Sequence, residues 1–125
     1  MSDVVDEWIE KAEGDFATAQ REIAVNARPN YDAVCFHAQQ CVEKYFKALL
    51  VMHGVTPPKT HDLPELDRLL TSHLPGWQGP GDELRLLSRS AVISRYPGEV
   101  AELQEAQIAF DICARLRQRL RSLLS

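Results

Sequence analysis

The chain reads as an all-α protein, an antiparallel up-and-down bundle of about five helices in a single domain covering residues 1–125. Three observations predict this. Every long segment carries apolar residues three or four apart, the period of one helix face, and none shows the strict alternation of a half-buried strand. Proline and glycine gather at Arg28-Pro29, at Gly54 with Pro57-Pro58, between Pro75 and Gly81, and at Pro97-Gly98, which cuts the chain into five stretches. Finally, 45% of 125 residues are hydrophobic, enough to bury one core at a length that makes a single domain the default.

The first helix is expected from Asp3 to Asn26: Trp8, Ala12, Phe16, Ala19 and Ile23 form its apolar face, and Asp3, Asp6 and Glu7 suit the positive end of its dipole. The second, Tyr31 to His53, carries a stripe of Val34, Ala38, Cys41, Val42, Tyr45, Leu49 and Met52 and is the central element. Gly54 ends it, and Pro57-Pro58 keeps the connector extended. Asp62 and Glu65 have the spacing of a capping box for a short third helix, Leu63 to Leu74, in which Pro64 is tolerated because first-turn amides have no helical partner. The loop from Pro75 to Gly81 is expected to be tethered by Trp77. A fourth helix, Asp82 to Ser94, presents Leu84, Leu87 and Ala91. After the break at Tyr96-Pro97-Gly98, a fifth runs from Glu99 to Leu123 with Leu103, Ala106, Phe110, Cys113, Leu116 and Leu120 in register.

The composition excludes several classes. A net charge of -4 lacks the basic footprint of a nucleic-acid binder, so any phosphate contact must be local. No apolar run reaches the roughly 18 residues of a membrane span, and the acidic start lacks a signal peptide's basic region, so a cytoplasmic protein with no membrane contact is expected. Three cysteines are poor material for a disulfide framework, and Cys35 and Cys41 are expected as buried thiols. Nucleotide-loop, zinc-protease and hydrolase-elbow motifs are all missing. His37 and Cys41 stand one turn apart, but no second pair with ligand spacing accompanies them, so neither a metal nor any other cofactor is expected.

A longer pattern runs through these pieces. Trp8 lies on the first helix; Ala33, Cys35, His37, Ala38, Gln39, Gln40, Glu43, Lys44, Lys47, Ala48, Leu49 and Leu50 follow on the second. Thr60-His61-Asp62-Leu63 comes next, and Arg95-Tyr96-Pro97 precedes the last long helix. In its order and separations this succession resembles the HEPN family (higher eukaryotes and prokaryotes nucleotide-binding domains), specifically its stand-alone prokaryotic type associated with minimal nucleotidyltransferases. The resemblance implies a bundle of about five helices that often dimerises. It also implies one of three roles: a metal-independent ribonuclease built on an Arg-x4-6-His motif at a dimer cleft, the partner of a minimal nucleotidyltransferase in a toxin-antitoxin-like two-gene module, or a nucleotide-binding regulatory module.

The residues bear on that choice. Arg95 is followed by Tyr96, Pro97, Gly98, Glu99, Val100, Ala101 and Glu102, with no histidine where the ribonuclease motif needs one. Arg68 and His73 match the spacing, but ten arginines and four histidines make an accidental match expected. A non-catalytic homodimer that binds a nucleotidyltransferase is therefore the leading expectation. A ribonuclease with a divergent site would use Arg95, Tyr96 and His61, with Glu43 beside them. A nucleotide-binding module would hold phosphates with Lys47, His61 and Arg95. On the second helix Gln39, Gln40, Glu43, Lys44 and Lys47 read either as a solvated face laced by an ion pair or, following the resemblance, as one wall of a polar cleft. In the latter case Gln40, Glu43, Lys47, His61, Asp62, Arg95 and Tyr96 form the nucleotide- or partner-binding set. Asp62 and His61 also have a plainer role, holding the start of the third helix. Arg115, Arg117, Arg119 and Arg121 split into two stripes around a helix and read as solvated surface.

Overall fold

The computed structural model describes residues 2–93 and 96–124. They form α1 (Asp3–Ile23), α2 (Tyr31–Met52), α3 (Leu63–His73), α4 (Gly81–Ile93) and α5 (Leu103–Ser122), with no strand among the described residues. α2 packs against all four other helices. Its apolar side chains Val34, Ala38, Cys41, Val42, Tyr45, Phe46, Leu49 and Leu50 are all fully buried, and Leu66, Leu70, Leu84, Leu87, Leu116 and Leu120 close over them from the other elements.

Local chemistry sets the boundaries. The Ser2 hydroxyl accepts the Val5 N–H at the start of α1. That helix stops at Ile23 rather than Asn26, because the amides of Ala24 and Val25 turn back onto the carbonyls of Arg21 and Glu22. The Glu22 carboxylate then takes the Asn30 N–H at 2.9 Å, and the Asn30 side chain accepts from the Ala33 N–H at 3.0 Å. One relay thus joins the end of α1 to the start of α2. At the far end of α2, Gly54 adopts a φ of 80°, which lets its N–H reach Val51 and lets the Val55 N–H reach Leu50. Both bonds satisfy carbonyls that the helix itself leaves open.

Two helix starts differ from the sequence reading. Asp62 is the N-cap of α3, but its side chain makes no capping bond. Pro64 occupies the second helical position and has no N–H to offer, and the Leu63 N–H is taken at 3.2 Å by the Ser88 hydroxyl of α4. α5 begins at Leu103 instead of Glu99. The preceding residues stay extended because the Asp32 carboxylate of α2 accepts the Ala101 N–H at 2.7 Å, a bond across 69 residues that no local pattern announces.

Paired contacts give the helix directions. Asp15 meets both His37 and Lys44, and Glu13 meets Tyr45, so α1 and α2 are antiparallel. Asp32 lies by Ala101 and Tyr45 by Arg121, so α2 and α5 run the same way, with α1 antiparallel to both. The connecting loop is tethered as expected. Trp77 is 5% exposed, its indole N–H donates to Asp67 at 2.6 Å, and Phe46 meets its ring edge-on at 6.3 Å. A Cβ on Gly79 would meet that same Asp67 carboxylate, so a side chain there would have to push the carboxylate away from the indole. All three cysteines are free and buried. Burial pushes the Cys35 thiol up to about 11, and the adjoining Cys113 thiol, with burial, raises that of Cys41 further. Both therefore stay protonated and unreactive at neutral pH.

Candidate functional site

The polar side of α2 is not solvated. Gln39, Gln40, Glu43 and Lys47 are all buried, with His61 of the connector bonded to Gln39 and Glu43 and the Trp8 ring of α1 beside Lys47. Glu43 is the hub. Its Oε1 accepts from Gln39 Nε2 at 2.8 Å and from His61 Nδ1 at 2.9 Å, and its Oε2 accepts from Lys47 Nζ at 3.1 Å. Gln40 Nε2 donates to Gln39 Oε1 at 2.9 Å, and Gln39 Nε2 also reaches the His61 carbonyl at 3.3 Å. The Lys47 ammonium lies 5.6 Å from the centre of the Trp8 ring. Burial pushes the Glu43 carboxyl up, but hydrogen bonds from Gln39, His61 and Lys47, with the Lys47 charge, outweigh it and hold the group below its ordinary value. Glu43 is therefore ionised at neutral pH. The proton in its bond with His61 accordingly sits on Nδ1.

That bond fixes the His61 ring at the surface, where its side chain is 68% exposed, and leaves Nε2 as the nitrogen available to a ligand. The ring opens onto a groove of about 460 Å³ lined by His61, Asp62, Pro64, Arg85, Ser88, Arg89 and Val92. The connector and the start of α3 form one wall, and one face of α4 forms the other. Arg85, Ser88, Arg89 and Val92 stand three or four residues apart, a spacing that places them together on a helix. This part of the site went unread in the sequence, although the spacing was there to be seen.

The remaining candidates lie elsewhere. Tyr96 is 61% exposed and is not among the residues lining the groove, while Arg95 lies outside the described residues. Lys47 is committed to Glu43 rather than to the groove. Arg68 and His73 are both exposed on α3, and the His73 ring is engaged by Ser72 and the Leu69 carbonyl. His37 bonds Asp15 at 2.7 Å. No group of three or more histidine, cysteine or carboxylate side chains is placed to hold a metal ion among the described residues.

Arg115, Arg119 and Arg121 of α5 are exposed, as the sequence reading of a solvated surface expected, and Arg117 is half-buried, but each of the four also holds a partner. Arg117 grips both oxygens of Glu13 at 2.6 Å and lies over the Phe16 ring, while Arg121 bonds the Tyr45 hydroxyl at 3.1 Å. On the other stripe, Arg115 pairs with Glu83, and Arg119 reaches the Gln78 carbonyl and covers the Trp77 ring. The two stripes stitch α5 to different neighbours.

Glu13 gives this arrangement a pH signature. The Arg117 bond, with Tyr45 and Arg121, outweighs burial and lowers its carboxyl from 4.5 to about 2. A carboxyl lowered by folding adds stability that is full above its unfolded value and is lost as pH falls through its folded one. The urea midpoint is expected to fall as pH drops from 4.5 toward about 2, and Glu13→Gln to flatten that limb. With the side chain 32% exposed, solvent screens the pair and the effect stays below what the full shift implies. An acid limb identical in the two proteins would show that the contact is not formed in solution.

Comparison with known proteins fits this architecture. The HEPN domain profile matches residues 5–123, and the chain belongs to the HEPN family. TT1696 from Thermus thermophilus superposes with a TM-score of 0.77 at 22% identity, over 97% of this chain and 98% of that one. ST0689, an archaeal HEPN homologue, does so with a TM-score of 0.69 at 24% identity, again over 97% and 98%. No curated protein sequence matches the chain. These likenesses carry the bundle and the order of its helices, and at such identity they carry nothing finer. No helix among the described residues is long and apolar enough to cross a membrane.

Proposed function

We propose that the chain is a non-catalytic HEPN docking module, which forms a homodimer through the face of α4 and α5 and engages a minimal nucleotidyltransferase as one half of a toxin-antitoxin-like pair. The observation supporting docking is a run of exposed apolar side chains from the end of α4 into α5: Val92, Ile93, Tyr96, Val100, Leu103 and Ile108, between 41% and 74% exposed. Exposed apolar side chains in this number at one end of two adjoining helices are the kind of surface that a partner covers. A second copy is a suitable occupant because the groove between Ile93 and Ile108 carries Arg89 and Glu105. A two-fold pairing on this groove would let each arginine meet the other copy's glutamate. The nucleotidyltransferase follows from the family resemblance, and the non-catalytic role from the lack of a histidine after Arg95.

Light scattering on the purified chain tests the first half. A dimer is expected, with Ile93→Asp/Ile108→Asp shifting it to monomer while the helical signal is kept; a wild-type monomer at about 100 µM, well above a micromolar Kd, would refute it. For the second half, the tagged chain purified gently from its host is expected to bring a small nucleotidyltransferase in near-equal amount. A divergent ribonuclease is the second reading, favoured by an exposed imidazole whose Nδ1 is held by a buried carboxylate. Metal-independent cleavage leaving a cyclic phosphate, and lost in His61→Ala, would put it first.

A further inference from the structure

We infer that the end of the bundle where α1 begins and α2 ends is a docking surface for a helix of a partner protein that presents lysine or arginine beside an apolar face. The inference uses no residue of the α4–α5 face and requires neither a dimer nor a nucleotidyltransferase, so its failure would leave the proposed function standing.

Shape is the first argument. Because α1 and α2 are antiparallel, Val4 in the first turn of α1 lies beside Val51, Val55 and Pro57 at the end of α2 and in the connector, and the four line a hollow of about 350 Å³. A second hollow, of about 230 Å³, runs along α1 from Val4 past Glu7 and Trp8 to Lys11. Val4 belongs to both and is 51% exposed, so it stands as a ridge between them. Two hollows sharing one apolar wall suit side chains a helical turn apart on a partner helix.

Charge is the second. Asp3, Asp6, Glu7 and Glu10 are all exposed, and none of their side chains pairs with a described residue. The carboxylates farther along α1 are engaged: Glu13 by Arg117, Asp15 by His37 and Lys44, Glu22 by the Asn30 N–H. The helix dipole accounts for Asp3 and Asp6 in the first turn but fades before Glu7 and Glu10. Asp3 with Glu7, and Asp6 with Glu10, stand four residues apart, a spacing at which like charges repel and an added cation relieves the pair. The last turn of α2 carries no basic side chain to offset its negative pole. Lys11, and Lys59 two residues beyond Pro57, leave the four carboxylates in excess. A basic partner complements this rim, whereas a nucleic acid or an anionic membrane is repelled by it.

An available anchor is the third. Trp8 is partly buried against the core, yet its indole N–H donates to no described residue and is not enclosed. Tryptophan is enriched among the side chains that carry binding energy, and one already held by packing loses little freedom when a partner covers it.

The test is a titration of the isotope-labelled chain, followed by NMR, with a synthetic amphipathic helix of leucine and lysine, about 15 residues long so that it holds its shape alone. The chain has two tryptophans, whose indole signals are read separately. The Trp8 signal is expected to shift and that of Trp77, enclosed beside Phe46, to stay. Glu7→Gln combined with Glu10→Gln is expected to weaken binding about tenfold, and Val4→Ser about fivefold. All three side chains are exposed, so the variants should fold. Glu99→Gln combined with Glu102→Gln removes the same charge at the opposite end of α2, near the Asp32–Ala101 contact, and is expected to leave the Trp8 shift unchanged. No Trp8 shift at about 1 mM peptide, a range covering millimolar affinity, would overturn the assignment. So would an equal shift from the same peptide with glutamate in place of lysine, or undiminished binding by either the Glu7/Glu10 or the Val4 variant.

Discussion

Glu43→Ala is expected to destabilise the protein by about 3–5 kcal/mol, the usual consequence of removing one partner from a buried ion pair. In wild-type protein the carboxylate satisfies Gln39, Lys47 and His61 together. Alanine leaves the Lys47 ammonium buried without a counter-charge and the Gln39 amide without its strongest acceptor. For a chain of this length the loss corresponds to a fall in Tm of about 10–20 °C. Two further variants separate charge from volume. Glu43→Gln keeps the size and one acceptor and should fall between the two. Glu43→Leu combined with Lys47→Met removes both charges and is expected to cost far less than Glu43→Ala, because an apolar pair avoids desolvating two ions. If Glu43→Ala lost less than about 1 kcal/mol, roughly the worth of one ordinary hydrogen bond, the network would not be formed as described.

Phe46→Ala is the second large effect, at about 3–5 kcal/mol for an aromatic side chain removed from a packed interior. Phe46 is fully buried on α2 and meets the Trp77 ring edge-on. The damage should therefore reach the loop before α4. In a Trp8→Phe background, where Trp77 is the remaining indole, its fluorescence should move toward that of a solvated ring, alongside the loss measured by urea unfolding. A loss below about 1.5 kcal/mol, less than transfer of the ring alone implies, would mean that neighbouring side chains collapse into the space. Against a domain stability of about 5–15 kcal/mol, either substitution removes a large share.

The helices were legible because their signals are local. Apolar spacing and proline-glycine breaks set five elements, and Gly54 marked a helix end that its positive φ explains. The failures were non-local. The start of α5 depends on Asp32, the first turn of α3 on Ser88, and the arginines of α5 on Glu13, Glu83 and Tyr45, none of them near in sequence. Gln39, Gln40, Glu43 and Lys47 have the composition of a water-facing side, but a helix enclosed by four others has no such side. The site was half legible: His61, Asp62 and Glu43 stood out through the family pattern, whereas Arg85 and Arg89 belong to no motif and were overlooked despite their one-turn spacing.

The same-direction pairing of α2 with α5 has a consequence for how the chain is made. Its last helix covers a surface that its second helix exposes, and the two helix ends, Met52 and Ser122, are 70 residues apart. At a ribosomal pace of about 5–20 residues per second, that separation keeps the α5 side of α2 uncovered for about 4–14 s. During that interval α1 is the one long helix available to shield it. α3 and α4 are made within the same interval and also pack on α2, so the α5 side is the part of α2 whose cover comes last, and the antiparallel α1–α2 pair, with its Glu22–Asn30 relay, is the first packed unit the growing chain can form.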